Sequence, residues 1–185
     1  LNVSRPTMRE ALTQLAQEGL LVQEPYRRLR VTDLGPDEIM DVARTRVSLD
    51  LQAVQEILAD SSGTRIARVR SAWKAYDRLP IDADPVEAHE AHIAFHRGIW
   101  LASGNTFLSR LWPVTEAHLT IALARDPFTR GDPRRRHDVH KRLVEAIEAR
   151  DLKAVRKALK IHTMDAASEL VATMRAERAG ATGLE

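Results

Sequence analysis

From Pro36 onward the chain is cut at intervals by "DSSG", "LPIDADP", "SGN", "DPFTRGDP" and "RD". Between these breaks run long stretches with apolar residues at helical spacing. The spans, about 36–60, 64–79, 84–103, 105–125, 132–149 and 151–178, are longer than strands usually run and suit helices. Asp84-Pro85 and Asp132-Pro133 each offer a capping carboxylate followed by a first-turn proline. Pro36 opens the first span, with Asp37 and Glu38 placed to favour the helix dipole. Pro113 predicts a kink in its own helix. Helices joined by short turns bury their apolar stripes against one another, so residues 36–178 are expected to form an all-helical antiparallel bundle. Residues 179–185 read as a frayed tail.

Residues 1–33 read differently. "SRPTMREALTQLAQEG" predicts one helix, capped by Ser4, with Pro6 in the first turn and Gly19 closing it in a left-handed conformation. Met8, Ala11, Leu12, Leu15 and Ala16 make its apolar stripe. "LLVQEPYRRLRVTDL" then predicts two short strands, about 20–24 and 29–33, around a turn from Pro25 to Arg28. A helix followed by a basic hairpin is the second half of a winged helix-turn-helix. The chain is therefore expected to start inside a DNA-binding domain, and the overall class to be mostly α. Charge agrees with this: residues 1–31 hold five Arg against three Glu, while the rest balances at 23 basic and 23 acidic residues.

Composition closes several routes. The 185 residues contain no cysteine, which removes disulfides, thiolate metal sites and cysteine nucleophiles. No apolar run is long enough to span a bilayer and no signal peptide is visible, so a cytoplasmic location and no membrane partner are expected. Aromatic residues make up only 4%, which disfavours a stacking platform for single-stranded nucleic acid.

The stretch "HEAHIAFH", residues 89–96, narrows the chemistry. A zinc-protease H-E-x-x-H motif needs its histidines four apart, but Ile93 stands where the second should be. His89 and His96 are separated by about 10.5 Å of helical rise, too far to share a metal readily. His92 and His96 lie one turn apart and are the better pair. His140 lies 11 residues before Asp151 and His162 lies 11 after it. If the helices on either side of Asp151 run antiparallel, both reach the same height and can meet His92 and His96 across the bundle. Spacing leaves open the alternative of hydrogen-bonded core imidazoles. His118 and His137 are assigned to ordinary structural roles.

Two segments carry a resemblance. "LNVSRPTMREALTQLAQEGLLVQEPYRRLRV" resembles the end of the winged helix-turn-helix of the GntR family of bacterial repressors, through Val3-Ser4-Arg5, Arg9-Glu10-Ala11-Leu12, Leu15 and Glu18-Gly19-Leu20. Residues 36–175 resemble the effector domain of its FadR-like subfamily, usually called FCD, through "FHRGIWLASGN", "HKRLVEAIEARD" and His162. The resemblance implies a transcription regulator, dimeric on operator DNA, whose helical domain binds a small organic acid, often through a metal. It assigns metal ligands to His92, His96, His140 and His162. At His92 the family usually has aspartate, and a neutral imidazole there favours borderline divalent metals, zinc or nickel above all. It also implies effector contacts from Arg46, which is followed by Asp50 four residues on, and from Asn105. Both have plain alternatives: a helical ion pair with Asp50 for Arg46, and the restart of a helix after Gly104 for Asn105. DNA contacts are implied for Ser4, Arg5, Thr7, Arg9 and Arg27. The wing tip departs from the family's Arg-Gly, since Arg28 stands where the glycine would be. No catalytic residue is expected. The competing readings are a metal-dependent hydrolytic enzyme using the same pocket and a pure metal sensor.

Overall fold

The computed structural model describes residues 3–22, 28–125 and 132–182. Helix α1, Arg5–Gln17, begins as its sequence predicts: the Ser4 hydroxyl accepts from the Thr7 backbone N–H at 3.3 Å. It ends at Gly19, whose φ of +84° only glycine adopts cheaply. Strands β1, Leu21–Val22, and β2, Arg30–Val31, pair antiparallel with Leu21 opposite Val31. Strand β2 is shorter than the expected 29–33, and residues 23–24 of the first expected strand lie outside the described residues. Thr32 ties this hairpin to the helix end, its N–H bonding to the Leu20 carbonyl and its hydroxyl to that of Gly19. Residues 25–27 of the expected hairpin turn, Arg27 included, lie outside the described residues.

The remainder is helical. Helix α2 is Pro36–Ala59, α3 Thr64–Asp77, α4 Pro85–Ala102, α5 Thr106–Arg125 and α6 Pro133–Glu148. Asp84 and Asp132 cap as read from the sequence, and Asp151, read as part of a turn, caps as well; each accepts backbone N–H groups of the first turn that follows. Pro113 sits inside α5 without ending it. The last expected helix, 151–178, is not one α-helix. Helix α7, Leu152–Leu159, passes into a π-helical segment, Lys160–Asp165, and then α8, Ala166–Thr182. The tail expected from residue 179 is still helix through Thr182.

The main core lies where α2, α3, α4, α5, α6 and α7 meet. Trp100, Phe95, Val54, Ile57, Val69, Leu143, Ile147 and Val155 are all essentially excluded from water. Burial of side chains this size supplies about 1.5–3 kcal/mol each. Helices α3 and α4 approach closely at Gly98, where an added Cβ would fall 2.5 Å from the Ala72 Cβ. This tight crossing fixes α4, which carries two of the predicted histidines. A smaller cluster joins Leu34 and Ile39 to Leu170, Val171 and Met174, packing α8 on the start of α2. Among the described residues, no helix is long and apolar enough to cross a membrane.

Candidate metal centre

His92 and His96 lie one turn apart on the inward face of α4, His140 on α6, and His162 in the π-helical segment. All four are buried, with 9% exposure at most. One ring nitrogen from each can be chosen so that all lie within 4.8 Å of one another. The His96 Nε2 is 3.2 Å from that of His140 and 2.8 Å from that of His162. Tetrahedral zinc–nitrogen bonds of about 2.0–2.1 Å place ligand nitrogens roughly 3.3 Å apart, close to both separations.

Hydrogen bonding among the rings cannot satisfy this group. The His140 Nδ1–H donates to the Arg136 carbonyl at 2.6 Å, with the Tyr76 hydroxyl 3.4 Å away. That bond leaves the His140 Nε2 as a lone pair aimed at His96, the usual way a ligand imidazole is oriented. A neutral His96 ring has one N–H for two neighbouring Nε2 atoms. Neither ring nitrogen of His92 has a hydrogen-bond partner. Buried polar atoms without partners are costly, and a cation shared by four lone pairs removes the cost. The donor set thus fits a divalent metal of borderline character.

Electrostatics point the same way. Burial holds all four imidazoles well below their usual range, His140 down to about 3. The neighbouring histidines and the Arg46 guanidinium push in the same direction. The rings are therefore neutral and ready to donate lone pairs at neutral pH.

Arg46 and Asp50 on α2 are both buried, the Arg46 Nε lying 3.3 Å from the Asp50 Oδ2. The alignment makes no hydrogen bond, and the Arg46 Nε and Nη2 have no other partner. Asp50 is held from the far side by the Trp100 indole N–H at 2.6 Å. Arg46 thus forms the helical ion pair and also faces a cavity of about 110 Å³ beside His92, His140 and His162. Thr163, whose buried hydroxyl has no partner, faces the same space.

The other expected site residues lie elsewhere. Asn105 is not among the residues lining the cavity. Its Oδ1 accepts from the Phe107 and Leu108 N–H groups, so it restarts a helix after Gly104. His89 stays out of the cluster and meets the Thr120 hydroxyl at 3.2 Å. His118 bonds to the Val114 carbonyl and His137 to Asp77. Ser4, Arg5, Thr7 and Arg9 gather at the exposed start of α1, with the Ser4 and Thr7 hydroxyls 2.8 Å apart. Thr163, Tyr76 and the Arg136 carbonyl were not singled out from the sequence. The Arg136 contact follows the i−4 spacing of a helix and was accessible in principle; the other two depend on tertiary structure.

The sequence model described as the FCD domain matches residues 41–166. The uncharacterized HTH-type transcriptional regulator BphR of Paraburkholderia xenovorans is 25% identical over 166 residues, covering 86% of this chain and 68% of that protein. The HTH-type transcriptional repressor GlaR of Escherichia coli is 26% identical over 165 residues, covering 85% and 75%. Among solved structures, a GntR transcriptional regulator from Rhodococcus sp. RHA1 superposes with a TM-score of 0.77 at 20% identity, covering 92% of this chain and 82% of that one. At that identity the likeness speaks for the fold.

Proposed function

The chain belongs to the FCD family and is a transcription regulator of the GntR type, and from that premise we propose that it is a cytoplasmic repressor whose DNA binding is set by a small carboxylate held at a metal in the helical domain. Residues 1–33 supply the DNA-reading part, and residues 36–178 the effector-binding and dimerisation part. The observation that carries the reading is the set of four neutral, buried imidazoles beside an arginine whose Nε and Nη2 have no hydrogen-bond partner. His92, His96, His140 and His162 would hold zinc or nickel, which when bound supplies a Lewis-acid anchor for a carboxylate oxygen. Arg46 offers the second anchor, fixed in place by Asp50 and Trp100.

The start of α1 enters the major groove of the operator, where Arg5 and Arg9 reach bases or phosphates and Ser4 and Thr7 fix the helix end; Arg27 follows the backbone. One such helix reads a half-site, so a two-fold dimer is required. Exposed Phe107 and Val114, seven residues apart on α5, together with Leu101 give the helical domain an apolar face for that contact. Gel retardation of operator DNA with metal-loaded and chelator-treated protein, with and without carboxylates, tests the whole reading. A carboxylate response that needs metal and Arg46 supports it. A response to metal alone would make the protein a metal sensor, and turnover of an ester or amide would make it an enzyme.

A further inference from the structure

The walls of the cavity beside the histidines divide by chemistry. Arg46, Thr163 and the three cavity-lining histidines, His92, His140 and His162, form one polar wall. The Arg46 Nε and Nη2 and the Thr163 Oγ1 on it have no hydrogen-bond partner. The lining also includes Ile39, Val42, Leu119, Leu123, Val139 and Leu170, drawn from α2, α5, α6 and α8. Of the other polar groups on the lining, Arg135 pairs with the Glu169 Oε1 at 2.6 Å, Asp132 caps α6 and Arg136 is engaged as well, while the Glu169 Oε2 has no hydrogen-bond partner. The volume, about 110 Å³, is somewhat below that of an engineered cavity of about 150 Å³ that takes up benzene.

Resting on the proposed effector role of this site, we infer that the effector is a short aliphatic monocarboxylate of about four or five carbons, its single charged end on Arg46 and Thr163 and its hydrocarbon body against the leucine and valine wall. One carboxylate meets the unpartnered donors of Arg46 and Thr163. A second carboxylate would lie against apolar side chains or the unpartnered Glu169 oxygen, since the other cations of the lining, Arg135 and Arg136, already have partners. A polyhydroxylated acid finds one acceptor in the Glu169 Oε2 but strands its other hydroxyls against the apolar residues, each loss costing about five- to 150-fold in affinity. Hydrocarbon, by contrast, gains from the same wall, at about three- to fourfold per buried methylene.

Calorimetric titration of the metal-loaded chain with acetate, propanoate, butanoate, pentanoate, gluconate and citrate decides the matter. The expected result is a Kd that falls about three- to fourfold per methylene up to butanoate or pentanoate, with gluconate and citrate weaker than butanoate. Val42→Thr keeps the side-chain volume but adds a hydroxyl to the apolar wall, and should weaken butanoate more than acetate. Arg46→Lys should weaken all the aliphatic acids together. Binding that needs Arg46 but ignores chain length, or favours gluconate or citrate, overturns this inference and leaves the effector site standing. Failure of every acid to bind, with metal content full, overturns both.

Discussion

Lowering the pH of metal-free protein should destabilise the fold steeply, by an amount that follows from the four buried histidines. Each is held neutral in the folded state by burial, whereas in the unfolded chain each titrates near 6.5. Below that value the unfolded chain binds protons that the folded chain refuses, so stability falls as pH falls. The loss begins near pH 6.5 and, for His140, continues down to about 3. Between about pH 7.5 and about pH 5.5, linkage assigns a little over 1 kcal/mol to each histidine and about 5 kcal/mol to the four together. That is comparable to the whole stability of many domains, roughly 5–15 kcal/mol. Guanidinium unfolding of chelator-treated protein at the two pH values measures it, with His140→Gln as a control that should remove about a quarter of the dependence. Equal stability at both pH values, or an undiminished loss in the control, would refute the claim that these imidazoles are neutral because they are buried.

His96→Ala and His140→Ala should each strip the protein of metal in elemental analysis while His89→Ala retains it, since His89 bonds to Thr120 outside the cluster; metal lost with His89, or kept without His96, contradicts the ligand set. Trp100→Phe leaves the buried Asp50 oxygen without its 2.6 Å donor and should cost about 1–3 kcal/mol in urea unfolding. Gly98→Ala forces α3 and α4 apart at Ala72 and should cost about 1–3 kcal/mol by the same measurement, whereas a neutral result would mean the crossing can relax. Arg9→Ala should weaken operator binding by about 1–3 kcal/mol in fluorescence anisotropy if the residue reads a base, and unchanged affinity removes it from the DNA-reading set.

The helix starts were legible because they are local. Asp84 and Asp132 announce themselves by the prolines that follow them, and each caps a helix. The convergence of His140 and His162 was also legible, because counting outward from Asp151 on two antiparallel helices is geometry and needs no packing detail. Their rings lie 4.3 Å apart, centroid to centroid. What could not be read depends on partners distant in sequence. Thr163 follows a histidine, but its orientation depends on a helical turn whose widening has no marker in "KIHTMD". The double role of Arg46 needs Trp100, 54 positions later, to hold Asp50 from behind. At Asn105 the family position suggested a ligand contact and the local sequence after Gly104 suggested a cap, and the cap is the local bond its amide oxygen makes.

The widened turn at Lys160–Asp165 also acts as a phase setting between two halves of one long rod. Before it, Val155 and Leu159 face the main core; after it, Leu170, Val171 and Met174 face Leu34 and Ile39. A regular helix advances about 100° per residue, so deleting one residue here would leave one of the two faces, or His162, pointing the wrong way. A change in the pitch of this turn is likewise a rotation of α8 against Leu34, which lies only three residues beyond strand β2. The turn that carries the fourth imidazole is thus geared, through one small apolar cluster, to the chain just past the hairpin.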